Sequence, residues 1–345
     1  MTARDPPLAD SPAVPSFVAR DGCPFCGRAG RTVLDEVRYH ETAEANPALP
    51  DVRGRLYDCP TCGIAHPSHV YSVASFRRFY DKAFTDLDYL DHSRLQAIRM
   101  AWMRRILAGP VGALSLASML DRLSLRALQV PRMQRRPAGL RILDVGCGFG
   151  EFMRLWRDLG GEVVGTEVIP AFVQRMRAAG LTCLLGELED LDFAGRRFDV
   201  VNLRAVFYRT RRPARTLEVA AGLLADGGEI LLLDPCPGRE GVSYFFRKQF
   251  PQGQFYILDR QRFLEMLQGR FGLRCTRSQL IYGRPTAPLK RVRLAGNLLG
   301  LGELMLANLL RRKAYMLRYN LEMDETAVTG PRPARPAGPP AGRAG

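Results

Sequence analysis

Apolar and polar positions divide the chain into zones of different period. From 140 to 235, short apolar runs alternate with amphipathic stretches. RILDVG, EVVGTEV, LTCLLGE, FDVVNL and EILLLD read as strands. Between them EFMRLWRDLG, PAFVQRMRAAG and RTLEVAAGLLADGG place apolar residues three or four apart, as helices do. That alternation predicts an α/β, doubly wound parallel sheet. Residues 241–283 add a helix, DRQRFLEMLQGRF, and a strand, LRCTRSQLIYG. Upstream, FRRFYDKAF and SRLQAIRMAWMRRIL predict helices within 70–108. ALSLASMLDRLSLRAL predicts another within 110–138, before a basic, Pro-containing linker.

The flanks follow neither period. Residues 1–20 are rich in Pro, Ala and Asp and are expected to be a disordered leader, with no apolar core for a signal peptide. Residues 329–345 are low-complexity and expected to be a disordered tail. The implied layout is a module over 21–69, a helical lid and linker over 70–138, the α/β domain over 139–283, and a basic amphipathic helical segment over 284–328. Hydrophobic residues are 46% of the 345 and charged residues 25%, which excludes a mostly disordered chain. Eight cysteines are too few for a disulfide scaffold, and no apolar run is long enough to span a bilayer. The expected location is the cytoplasm.

The formal charge is +15, which points to an anionic partner. It is concentrated in two places. Residues 196–215 hold seven Arg and one Asp, and residues 284–318 hold eight basic residues and one Glu. The second cluster flanks LAGNLLGLGELMLANLL, so peripheral membrane contact through 290–313 is one reading and packing on the core is the other.

Candidate chemistry starts at RILDVGCGFGEF. A strand runs into Gly146, Gly148 and Gly150, and a helix follows. Glycines let the backbone turn tightly and approach a ligand without a Cβ in the way. Asp144 would repel a pyrophosphate but suits a ligand bearing an ammonium group. Glu167 ends the second strand, where an acid accepts from both ribose hydroxyls.

These residues resemble the class I S-adenosylmethionine-dependent methyltransferases over about 139–283. LDVGCGFGEF matches the family's first motif and GTE its second-strand acid. GELEDLDF (186–193) looks like its Gly-Asp-Ala-Glu-x-Leu-Pro-Phe element. FDVVNLRAVF and LLADGGEILLLDP match the fourth strand and the turn into the fifth. The resemblance implies a Rossmann-like, seven-stranded sheet and S-adenosyl-L-methionine as cofactor. It assigns cofactor contacts to Asp144, Gly146, Cys147, Gly148, Gly150, Glu167, Val168, Glu187, Leu188 and Leu203. Glu187 would take the adenine amino group, and Leu188 would donate its amide.

The chain also departs from that pattern. Many bacterial members carry Glu-His after the fourth strand; Tyr208 and Arg209 stand there instead. Gln254 stands near a second family His. A His base is therefore not expected, and Tyr208, Arg209 and Tyr256 are the candidate acceptor-side groups. Arg204, Arg209, Arg211 and Arg212 fall in the loop facing the acceptor, where Arg suits bidentate capture of carboxylate or phosphate. The expected acceptor is a small, anionic or polar metabolite. RNA methylation is the alternative enzyme reading, and a cofactor-binding relative without chemistry is the third.

CPFCG and CPTCG place Cys23, Cys26, Cys59 and Cys62 as two Cys-x-x-Cys knuckles 32 residues apart. Two such pairs suit tetrahedral thiolate binding of a structural Zn2+ in a zinc ribbon. His66 and His69 follow the second knuckle and are expected to be packing or surface residues.

Overall fold

The computed structural model describes residues 16–29, 32–41, 51–72, 74–76, 104, 133–250, 252–282 and 314–324. The expected helices of 70–138, the 290–313 segment and the 329–345 tail lie largely or wholly outside these residues.

Two β-structures dominate. The N-terminal one contains β1 (Phe17–Ala19), β2 (Val33–Arg38), β3 (Arg53–Cys59), β4 (Ile64–Pro67) and β5 (His69–Tyr71). The second contains β6 (Arg141–Val145), α1 (Glu151–Asp158), β7 (Glu162–Glu167), α2 (Pro170–Ala178), β8 (Thr182–Leu185), β9 (Phe198–Arg204), α3 (Pro213–Gly222) and β10 (Leu224–Pro235). It continues through α4 (Gly238–Gln249), β11 (Tyr256–Ile257), α5 (Arg260–Phe271), β12 (Leu273–Tyr282) and β13 (Ala314–Met323).

The large sheet has seven strands in the order β12-β13-β10-β9-β6-β7-β8. Strands β10, β9, β6, β7 and β8 run parallel, while β13 is antiparallel to both its neighbours. Parallel strands covered on both faces read as continuous apolar runs, and ILLLD of β10 and ILDV of β6 are buried throughout. Helix α1 packs through Phe152, Met153, Leu155 and Trp156, the period-3.6 face of EFMRLWRD. Helix α5 is capped by Asp259, whose side chain accepts from the Arg262 amide at 3.1 Å, and stops at Gly272.

Three expectations are corrected. Residues Phe17–Ala19 of the expected leader form β1, pairing with β5 from Phe17↔Tyr71 to Ala19↔His69. Residues 314–323 of the expected helical segment are strand, because a slot between β10 and β12 supplies both ladder partners. The α/β domain therefore does not end at 283. Asn320 donates to the buried Glu229 at 2.6 Å, and Glu229 also accepts from the Gln134 amide at 2.7 Å. That network ties β13, β10 and the segment before β6 together.

The N-terminal module is not separate. Strands β2, β3 and β4 form an antiparallel sheet whose fourth strand is β11, with Tyr256 opposite Ala65 and Ile257 opposite Ile64. Cys23, Phe25, Cys59, Cys62 and Ile64 share one buried cluster with Leu143, Phe207, Phe255 and Phe263. The Phe25 ring lies 5.1 Å from Phe255, 5.9 Å from Phe263 and 6.1 Å from Phe207, in tilted and edge-on contacts.

Candidate active site

At the C-terminal ends of β6, β7 and β9 lies a cavity of about 250 Å³. Open α/β sheets place ligands there because the loops diverge and leave a crevice. Gly146, Gly148, Glu167, Val168, Glu187, Leu188 and Arg209 of the expected site line it. Asp144, Cys147, Gly150, Leu203 and Tyr208 are not among its lining residues. Phe76, from the N-terminal part of the chain, and Ala205 are. Ala205 has φ of 56°, a strained conformation for a residue with a Cβ, at the point where β9 turns away from the sheet.

The glycine loop is tight. Gly146 has φ of 62°, and a Cβ there would stand 2.5 Å from Val206 Cγ2. Gly148 has φ of 54° with open space where its Cβ would be, so bare backbone faces the cavity. Its amide donates to Glu167 at 2.9 Å, and the Val168 and Ile169 amides donate to the same carboxylate at 2.7 and 3.1 Å. Burial raises the Glu167 pKa, and these three donors oppose the shift.

Asp144 sits behind the cavity, 4% exposed. Burial pushes its carboxyl up to about 7, against the Asn202 amide that donates to it at 2.7 Å and the nearby Arg204 charge. Asn202 was not singled out in the sequence; its signal was a polar residue inside the apolar run FDVVNL.

The four arginines of the loop do not act alike. Arg211 makes a two-point ion pair with Glu187, Nε to Oε1 at 2.7 Å and an Nη to Oε2 at 2.6 Å. Arg212 reaches Asp190 at 2.7 Å. Arg204 stacks 4.1 Å over the Phe152 ring. Arg209 lines the cavity, 5.0 Å over the Tyr208 ring. Tyr208 is buried, its amide donating to Asp234 at 3.0 Å and its carbonyl accepting from the Gln254 amide at 2.7 Å. Tyr256 is buried in β11, and neither tyrosine lines the cavity.

The ligand atoms of Cys23, Cys26, Cys59 and Cys62 all lie within 4.8 Å of one another. The Cys26 and Cys59 sulfurs are 3.5 Å apart, and the four thiols are free. A tetrahedral metal with metal–sulfur bonds of ~2.3 Å holds its sulfurs roughly 3.8 Å apart, so the set fits such an ion. Gly27 and Gly63, at φ of 71° and 67°, close the knuckles by donating to the Cys23 and Cys59 carbonyls, each at 2.9 Å. Hydrogen bonding from Cys62 lowers the Cys23 thiol to about 5, and burial raises Cys59 to about 12. His66 and His69 stand outside the cluster. His66 is fully buried, and burial lowers its pKa to about 4.

Seven strands with helices on a parallel core, a glycine loop under a cavity and an anchored acid ending β7 make an α/β, Rossmann-like fold with a ligand-sized crevice. Residues 143–232 match the family described as "Methyltransferase domain". The chain is 40% identical over 96 residues to a ubiquinone biosynthesis O-methyltransferase of Cereibacter sphaeroides, spanning 26% of this chain and 39% of that protein. It is 36% identical over 104 residues to a tRNA U34 carboxymethyltransferase of Pseudomonas fluorescens, spanning 27% and 32%. The chain thus spans less than half the length of either curated relative. An S-adenosylmethionine-dependent methyltransferase structure from Mesorhizobium loti aligns over 61% of this chain and 99% of its own, at 19% identity and a TM-score of 0.41. Among the described residues no helix is long and apolar enough to cross a membrane.

Proposed function

We propose that the chain binds S-adenosyl-L-methionine in this cavity and transfers its methyl group to a small anionic or polar metabolite, by O- or C-methylation. The observation that carries the reading is the Gly146–Gly148 loop facing the cavity beside Glu167, whose carboxylate is fixed by three backbone amides. A fixed carboxylate keeps lone pairs directed at ribose hydroxyls without reorganising. Glu187 and the Leu188 amide, both at the cavity, would hold the adenine, and Glu187 keeps lone pairs beyond the two taken by Arg211.

When bound, the cofactor supplies an electrophilic methyl on a sulfonium. The protein holds the acceptor in line with it and excludes water, so catalysis is largely positioning. Arg209 is the cation in this wall that suits an acceptor carboxylate or phosphate. Arg211 does not serve that purpose, being committed to Glu187. Tyr208 supports the wall and does not enter the cavity, so an acceptor needing deprotonation would lose its proton to another group. The four cysteines would hold a structural Zn2+, whose four protein ligands leave no open position.

Incubating the purified protein with labelled cofactor and a metabolite extract, then searching by mass spectrometry for a gain of one methyl group, tests the reading. A labelled small molecule supports it. Label in RNA alone would favour the second reading, which the tRNA-modifying relative keeps open.

A further inference from the structure

Three sulfurs meet beneath the glycine loop, on residues that do not line the cavity. Cys147 follows Gly146, and its amide donates to the Thr166 carbonyl of β7 at 3.0 Å. Cys183 lies on the other side of β7, where it pairs with Gly165. The two sulfurs nonetheless stand 3.6 Å apart. Gly165 makes this possible. A Cβ there would stand 2.9 Å from the Cys147 sulfur and 2.5 Å from the Met153 sulfur, so its absence opens the space. Met153, on α1, thus brings a thioether to the same point. The surroundings are apolar, with Val173, Met176 and Leu181 in the same buried cluster. Among the described residues no His, Asp or Glu joins the two cysteines in a ligand group.

Two thiols this close invite a disulfide, but the backbone opposes one. Neighbouring strands lie ~4.8 Å apart, so segments flanking β7 on either side are separated by roughly 9–10 Å. A disulfide spans at most about 7 Å between Cα atoms, so closing it would drag the glycine loop toward β8. An ion between the sulfurs needs no such shift, since metal–sulfur bonds of ~2.3 Å in a trigonal set hold the sulfurs roughly 4 Å apart. Two thiols and a thioether suit a soft monovalent ion rather than zinc, which takes four ligands. Two thiolates on such an ion leave a buried negative charge, which needs a partner. Arg177, whose Nε donates to the Cys183 carbonyl at 3.0 Å, brings a cation to the edge of the group.

We propose that Cys147, Cys183 and Met153 form a binding site for a single soft monovalent metal ion of the copper(I) class, beneath the glycine loop. Binding displaces the two thiol protons to solvent. The site shares no residue with the four-cysteine centre, and its test does not depend on methyl transfer.

The test titrates the zinc-loaded full chain, reduced and free of oxygen, with copper(I) held by bicinchoninate, while zinc release is followed. Wild type should take up one equivalent of copper(I) without losing zinc, and X-ray absorption at the copper edge should show a first shell of sulfur alone. Cys183→Ala should lower the copper(I) affinity by roughly a hundredfold or more, and Met153→Leu by about tenfold. Copper uptake only in step with zinc release would overturn the proposal, because the ion would then occupy the four-cysteine centre. Equal uptake by wild type and Cys183→Ala would overturn it as well. Should Cys183→Ala fail to fold, wild type and Met153→Leu decide it, and equal affinity of those two would overturn the three-sulfur site. A Cys147–Cys183 disulfide formed by the folded wild type in air would contradict the separation of the two backbones and overturn the proposal too.

Discussion

Two carboxylates, one lining the cavity and one behind it, show how surroundings give the same functional group different roles. Glu187 is partly buried in the cavity wall and held by a guanidinium, whereas Asp144 is buried with one amide donor. Raising the Asp144 pKa from 3.8 to about 7 means the folded chain resists its ionisation. The contribution to stability is favourable below about pH 4 and is lost as pH rises through about 7, on the order of a few kcal/mol. The melting temperature without cofactor should therefore fall between about pH 4 and 7 and level off above. Asp144→Asn, which still accepts from Asn202, should show a smaller fall when melted over the same range. The arginines separate in the same way. Arg209→Ala should raise the acceptor KM about tenfold and leave the affinity for S-adenosylhomocysteine unchanged. Arg211→Ala should instead weaken S-adenosylhomocysteine by roughly threefold to tenfold, because Glu187 loses its anchor. Calorimetry on the two variants, with kinetics on the acceptor once identified, distinguishes them.

Among elements, β13 matters most to the sheet and was hardest to read. Its sequence, AYMLRYNLEM, follows a stretch of basic and apolar residues, and Leu317, Asn320 and Leu321 are buried within it. Nothing local separates it from the helical pattern before it; pairing with β10 and β12 makes it strand. Ending the chain at residue 313 should abolish cooperative unfolding in circular dichroism, since both neighbours would gain an open edge. A normal melting transition would contradict the register found here. Helix α4 also went unread, because Gly238, Gly241 and β-branched Val242 hide the spacing of Val242, Phe245 and Phe246. By contrast β6, α1, β7, α2, β8 and β9 were legible, because each carries its period within a few residues and Gly or Pro marks the boundaries. The glycine loop and both knuckles were legible as motifs. Asn202 and Phe76 were not, since their positions arise from contacts more than fifty residues away in sequence.

At the scale of the molecule, the N-terminal module and the α/β domain share a core and a sheet. Strand β11 completes the module's sheet, and Phe25 is surrounded by rings of the α/β domain. If the four cysteines hold Zn2+ as proposed, its loss should be felt by the whole chain. Chelation should lower the melting temperature by roughly 5 °C or more in a single transition. Two separated transitions would mean the module unfolds alone. The +15 charge also reads differently at this scale. Arg211 and Arg212 are held by acids, so the loop cluster is less a nucleic-acid footprint than a structural lattice with Arg209 at the cavity.

The central claim is that the cavity beside Glu167 holds the methyl-donor cofactor. Titrating the zinc-loaded chain with S-adenosylhomocysteine by calorimetry, as wild type and as Glu167→Ala, tests it most directly. Saturable one-to-one binding is expected, weakening at least about tenfold in the variant, as a lost charged hydrogen-bond acceptor requires. No binding to the folded wild type, or equal binding to both proteins, would contradict it.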